Sequence, residues 1–266
     1  MNRLFRYLNV WTATLIMIKP TTIIALLLAL FHAQAMAALA LGSSRIIIQA
    51  PKTRAVVMVH NRSPHSAYLA QSWIEDAQGQ KPERAPVVAL PPIQRLEARQ
   101  DNQLNIQVLP QVADLPQDRE TLFYLNVREV PPRGEDKEVI QIALQRRIKV
   151  IYRPQRIRPL TVGLTSPWLS ALTLCKEQSG RFQLNNATPY HVTLIEAFGD
   201  ESGVSPVTDF KPMEIPPYSE RRLEGKFAPG VQRPTLVYIN DFGGRGQLSF
   251  DCLDGVCTVI QNSVRS

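Results

Sequence analysis

Short apolar runs broken by turn residues fill this chain, and almost nothing in it repeats at helical spacing. Runs at 46–49, 56–60, 68–75, 104–108, 122–127, 139–144 and 148–152 are rich in Val, Ile, Leu, Tyr and Phe. Pro, Gly, Asn and Asp lie between them. In 104–108, Leu104, Ile106 and Val108 alternate with Asn105 and Gln107. Ser72-Trp73-Ile74-Glu75 also reads as a strand with one apolar and one polar face. A period of two belongs to half-buried strands. Seven such strands within roughly 110 residues form the pattern of an immunoglobulin-like sandwich.

A second set of runs follows at 171–174, 181–184, 192–198, 236–240, 248–252 and 257–260. Between the sets, Arg153-Pro154-Gln155-Arg156-Ile157-Arg158-Pro159 reads as an interdomain linker, with two prolines and three arginines. The expected architecture is all-β, with two immunoglobulin-like domains at 38–158 and 159–266.

Residues 1–37 read as an export signal. Arg3, Arg6 and Lys19 precede an apolar run, TTIIALLLALF, and Ala35-Met36-Ala37 offers a small-x-small cleavage site. The run is too short to span a bilayer, which takes roughly 20 apolar residues. Met17 would begin a more compact signal than Met1 does. Cleavage removes those three basic residues and no acidic one, which lowers the formal net charge from +7 to +4. The remaining Arg and Lys are interleaved with Asp and Glu, so no basic stripe points to nucleic acid.

Three cysteines remain after export. Cys252 and Cys257 flank LDGV, a turn-like tetrapeptide, and suggest a disulfide across a hairpin. So small a loop stabilises by only about 2 kcal/mol. Cys175 reads as a buried thiol on a strand.

No catalytic constellation is legible. His60, His65 and His191 lack metal-ligand spacing and read as surface or strand histidines. No Gly-x-Ser-x-Gly elbow and no phosphate loop occurs. Gly243-Gly244-Arg245-Gly246 lies between two strand runs and reads as a hairpin turn. No cofactor is implied, and the chain is not expected to be an enzyme.

Residues 139–153 are unusual. Ile140, Ile142 and Leu144 alternate with Gln141, Ala143 and Gln145, and the run continues to Arg153. That predicts a near-continuous strand much longer than the usual 5–6 residues. Its apolar row belongs either to an ordinary core or to an edge offered to a partner.

Six blocks resemble the periplasmic pilus-assembly chaperone family of the P-pilus type. They are AQSWIE at 70–75, PPIQRL at 91–96, LPQDRETLFYLNVREVPP at 115–132, IKVIYRP at 148–154, NATPY at 186–190 and YINDFGG at 238–244. They cover the mature chain in order. The resemblance implies two immunoglobulin-like domains in an L or boomerang arrangement, located in the periplasm. It implies a chaperone that folds and caps pilus subunits by lending them a missing strand, then passes them to an outer-membrane usher. It assigns Arg45 and Lys149 as an anchor for the subunit's C-terminal carboxylate, and Ile140, Ile142 and Leu144 as the lent strand's apolar face. Glu120, Arg153 and Asp241 become an interdomain charge network. The short, charged 131–138 stretch resembles the short-loop subclass. The same edge offers the free chain a route to self-association, and no membrane insertion is implied. A fibre subunit or adhesin is the competing reading. It would need one incomplete domain and a donor extension, whereas two full strand sets occur here.

Overall fold

The computed structural model describes residues 38–132, 142–159, 163, 165–177 and 179–264. Nine strands form the first half: β1 (Leu39–Leu41), β2 (Arg45–Gln49), β3 (Arg54–Asn61), β4 (Tyr68–Asp76), β5 (Val87–Leu90), β6 (Ile93–Leu96), β7 (Asp101–Val108), β8 (Thr121–Val130) and β9 (Gln145–Arg153). Eight form the second: β10 (Leu172–Lys176), β11 (Phe182–Asn186), β12 (Val192–Phe198), β13 (Met213–Ile215), β14 (Ser219–Arg222), β15 (Thr235–Ile239), β16 (Arg245–Leu253) and β17 (Val256–Val264). The helical segments among the described residues are short 3₁₀ turns at Pro110–Asp114, Gln155–Ile157 and Pro167–Ala171.

The first half is a sandwich of a four-stranded sheet, β1-β3-β7-β5, and a five-stranded sheet, β2-β9-β8-β4-β6. The period-two pattern explains its core. Val57 and Val59 of β3, Leu104 and Ile106 of β7, and Leu125 and Val127 of β8 are all buried in one cluster. Two of the changes of sheet fall at breaks that stop a ladder. One is Gly42-Ser43-Ser44 between β1 and β2; the other is Pro91-Pro92, without N–H donors, between β5 and β6. The second half is one continuous sheet, β13-β12-β15-β16-β17-β10-β11-β14, whose apolar side chains share a single core that includes Leu174, Phe182, Leu236, Tyr238 and Phe250.

Parity corrects two sequence readings. On β4, Ser72 and Ile74 are buried. Trp73 therefore shares the outer face with Glu75 and donates to its carboxylate at 2.7 Å. On β10, Leu172 and Leu174 point inward, which turns Cys175 outward; the thiol is exposed rather than buried. Cys252 and Cys257 are cross-strand partners in β16 and β17 and form a disulfide. The intervening Asp254-Gly255 turn has positive φ at both residues, as a tight two-residue hairpin requires.

Candidate functional site

Residues that face away from the first core build the site. Along β9, Val150 and Tyr152 enter that core. Lys149, Ile151 and Arg153 have the opposite parity and meet the second half of the chain. Ile151 lines the seam between the two halves with Leu169 and Val192. β2 pairs with β9 in parallel, and its first residue, Arg45, lies opposite Lys149. Two cations thus stand side by side where β2 begins.

Both reach Thr193 on β12. Arg45 donates to Thr193 Oγ1 at 2.9 Å and to the Ile239 carbonyl at 3.0 Å. Lys149 Nζ donates to the same hydroxyl at 2.7 Å and pairs with Glu214 on β13. Thr193 and Glu214 are cross-strand partners, and the hydroxyl donates to Glu214 Oε2 at 2.8 Å. The other carboxylate oxygen lies 3.1 Å from His191 Nδ1. Burial lowers the Arg45 guanidinium and the Lys149 ammonium from their ordinary values, against the pull of Glu214. Burial also works to raise Glu214, but His191 and Lys149 together hold it below the usual carboxylate range.

Next along β9, Arg153 is 2% exposed, so the residue that opens the expected linker is buried. It donates to Glu120 Oε1 at 2.7 Å and to both Asp241 oxygens at 2.8 and 3.2 Å. Its guanidinium lies beside the contacting rings of Trp168 and Tyr190, 5.3 and 5.0 Å from centroids that are themselves 4.6 Å apart. Burial works to lower Arg153, but Glu120 and Asp241 outweigh it and hold the group above its ordinary value. Burial pushes the Glu120 carboxyl up, against the attraction of Arg153. Glu120 also accepts from the His191 backbone N–H at 2.6 Å. His191 therefore touches both charge clusters, by its N–H and by its ring, and is largely buried rather than the surface or strand histidine expected from the sequence. The glycine turn between β15 and β16 closes the seam. A Cβ on Gly243 would strike Ser44 Oγ, and this position also has φ +83.

Upstream of Lys149, β9 is paired on one side only. Gln145–Ile148 bonds to β8, and no strand among the described residues pairs with its other edge. A groove lined by Leu41, Gly42, Ser43, Ser44, Arg146 and Ile148 runs beside that edge. Ile142 and Leu144 continue the parity of Ile148 and Val150 beyond the sandwich, and are 69% and 41% exposed. Ile140 lies outside the described residues. The expected near-continuous strand is corrected: strand begins at Gln145, and 142–144 are not strand. The β8–β9 ladder pairs no further than Arg128 with Gln145; among the described residues one bond, Glu129 N–H to the Leu144 carbonyl, continues it, and β8 itself ends at Val130 before two prolines.

Thr193, Glu214 and the role of His191 were invisible in the sequence. Met213-Glu214-Ile215 alternates between two prolines, Pro212 and Pro216. That is the only hint of so short a strand.

The fold is that of a two-domain immunoglobulin-like protein. Two family models match the chain: "Pili and flagellar-assembly chaperone, PapD N-terminal domain" over residues 38–158, and "Pili assembly chaperone PapD, C-terminal domain" over residues 167–250. The probable fimbrial chaperone YfcS of Escherichia coli K12 is 37% identical over 242 residues, which are 91% of this chain and 94% of the relative. Chaperone protein PapD of Escherichia coli is 39% identical over 225 residues, 84% of this chain and 90% of the relative. Among solved structures, the periplasmic chaperone SfaE matches at TM-score 0.62 and 29% identity, covering 79% of this chain and 98% of that one. A chain from the Salmonella enterica SafA pilin–SafB chaperone complex matches at 0.67 and 27%, covering 83% and 99%. The chain belongs to the PapD-type pilus-assembly chaperone family.

Proposed function

We propose that this protein is a periplasmic, non-enzymatic chaperone that captures pilus subunits by lending them a strand and delivers them to an outer-membrane usher. The observation that carries this reading is where the free edge of β9 ends. A client strand added beside 142–148, in the direction of β2, would run along the groove and stop at Arg45 and Lys149. A strand that ends there presents a carboxylate, and two cations can hold it by charge-assisted hydrogen bonds. Fixing that terminus fixes register, because a slip of one residue would turn every side chain to the other face. Ile142 and Leu144, already exposed, then meet the client's apolar groove, with Ile140 as the third residue of the row.

The related fimbrial chaperones support this assignment, and in the SafA–SafB structure a pilin is bound in complex with its chaperone. Residues 1–37 serve as the export signal, and the domains divide near residue 159. Glu120, Arg153 and Asp241 fix the orientation of the two domains rather than touching clients. The unpaired β9 edge also permits self-association when no client is bound.

Co-expression with a subunit and purification from periplasm tests the anchor. Lys149→Ala should abolish the stable complex while the chaperone stays folded; a normal subunit yield would remove the anchor assignment.

A further inference from the structure

The cleft's cations are not vacant. Glu214 Oε2 pairs with Lys149 Nζ, and the Thr193 hydroxyl between them accepts from both cations while donating to the same carboxylate oxygen. All of these groups are at least partly buried; the Lys149 and Glu214 side chains are 20% and 17% exposed. Lys149 belongs to β9 of the first domain, while Thr193 and Glu214 belong to the second, so the contact also ties the two domains together.

We infer that Glu214 is a built-in occupant of the anion site, a carboxylate that a client's C-terminal carboxylate must displace from Lys149. This rests on the reading of Arg45 and Lys149 as the carboxylate anchor. The exchange replaces one carboxylate by another on the same ammonium, so no cation is left unpaired at any stage. The displaced Glu214 keeps two partners, the Thr193 hydroxyl and the His191 ring. Its register opposite Thr193 on the edge strand β13 holds it beside the cleft, ready to return when the client leaves. The device disfavours weak, non-specific carboxylates, because only a ligand that also gains strand pairing along β9 offsets the lost Glu214 contact. His191 extends the linkage, since its backbone N–H is held by Glu120 of the buried interdomain cluster.

The test uses a short peptide of alternating apolar and polar residues, with either a free C-terminal carboxylate or a C-terminal amide. Binding is measured by calorimetry to the purified protein, to Glu214→Gln and to Lys149→Ala. Glutamine keeps the shape and can still accept from Thr193, but carries no charge to compete. Glu214→Gln should bind the carboxylate peptide about fivefold more tightly, a modest gain of the size expected for a partly exposed ion pair, and bind the amide peptide unchanged. If Lys149→Ala loses the carboxylate peptide but Glu214→Gln binds it no better than the parent protein, the occupant role is overturned and the anchor stands. If Lys149→Ala binds both peptides as the parent protein does, the anchor itself fails, and the inference with it. Glu214→Asp, one methylene shorter, should fall between parent and Gln; a tighter complex than Gln gives would contradict charge competition.

Discussion

Arg153→Met probes the buried cluster most sharply. Methionine is unbranched and fills much of the space that the Arg153 side chain occupies beside the Trp168 and Tyr190 rings, so packing changes little while charge is lost. Three charge-assisted hydrogen bonds disappear. Asp241, with a side chain 19% exposed, can rehydrate. Glu120 cannot: it is 3% exposed and would retain only the His191 N–H. Removing one partner of a buried pair costs about 3–5 kcal/mol, because the other charge is left uncompensated. At about 2–4 °C per kcal/mol for a chain of this size, the thermal midpoint should fall by on the order of 10 °C. The pH dependence identifies the cause. Burial already raises the Glu120 carboxyl, and without the attraction and hydrogen bond of Arg153 the His191 contact is what remains to oppose it. A folded-state value raised above the unfolded one means that folding takes up a proton. The stability deficit should therefore be full near pH 8 and shrink near pH 5, as Glu120 protonates. Thermal unfolding of variant and parent at both pH values measures this. The double variant Glu120→Gln/Arg153→Met should recover much of the loss. A deficit below about 1 kcal/mol at both pH values would mean that the cluster behaves as exposed ion pairs do, and would refute the reasoning.

Ile142→Asp should weaken subunit capture strongly yet leave the thermal midpoint within about 2 °C of the parent, since the side chain is 69% exposed and supports no core; a large midpoint loss would mark it as structural. Lys149→Ala should cost the free protein only about 1 kcal/mol, the weight of a partly exposed ion pair, and should still abolish the subunit complex. Unfolding of this variant under native conditions would remove its value as a test of recognition.

The fold was legible because its signal is local. Alternation in 104–108 marks Leu104, Ile106 and Val108 as core, and all three are buried. The same rule, applied strictly, also places Trp73 and Cys175 outside, where composition alone suggested an interior. The site was less legible because it is assembled across the seam. Lys149 and Arg45 are separated by 104 positions in sequence, yet the parallel pairing of β2 with β9 puts them side by side. Only the family resemblance pointed to them, and of the two only Lys149 lies in one of its blocks. Glu214 belongs to a three-residue strand whose charge looks like any solvated glutamate until β13 pairs with β12. The long run at 139–153 shows the limit of pattern. Alternating apolar residues specify a face, but a strand also needs a partner, and the β8–β9 ladder pairs no further than Arg128 with Gln145.

Amide hydrogen exchange in the co-purified subunit complex, against the free chaperone, tests the lent strand most directly. New protection should appear over 142–148, the start of β9 and the residues before it, where no strand among the described residues pairs with the outer edge, and should disappear when the subunit is released. Unchanged exchange over 142–148, with protection gained instead on the outer strands of the second domain, would contradict the account.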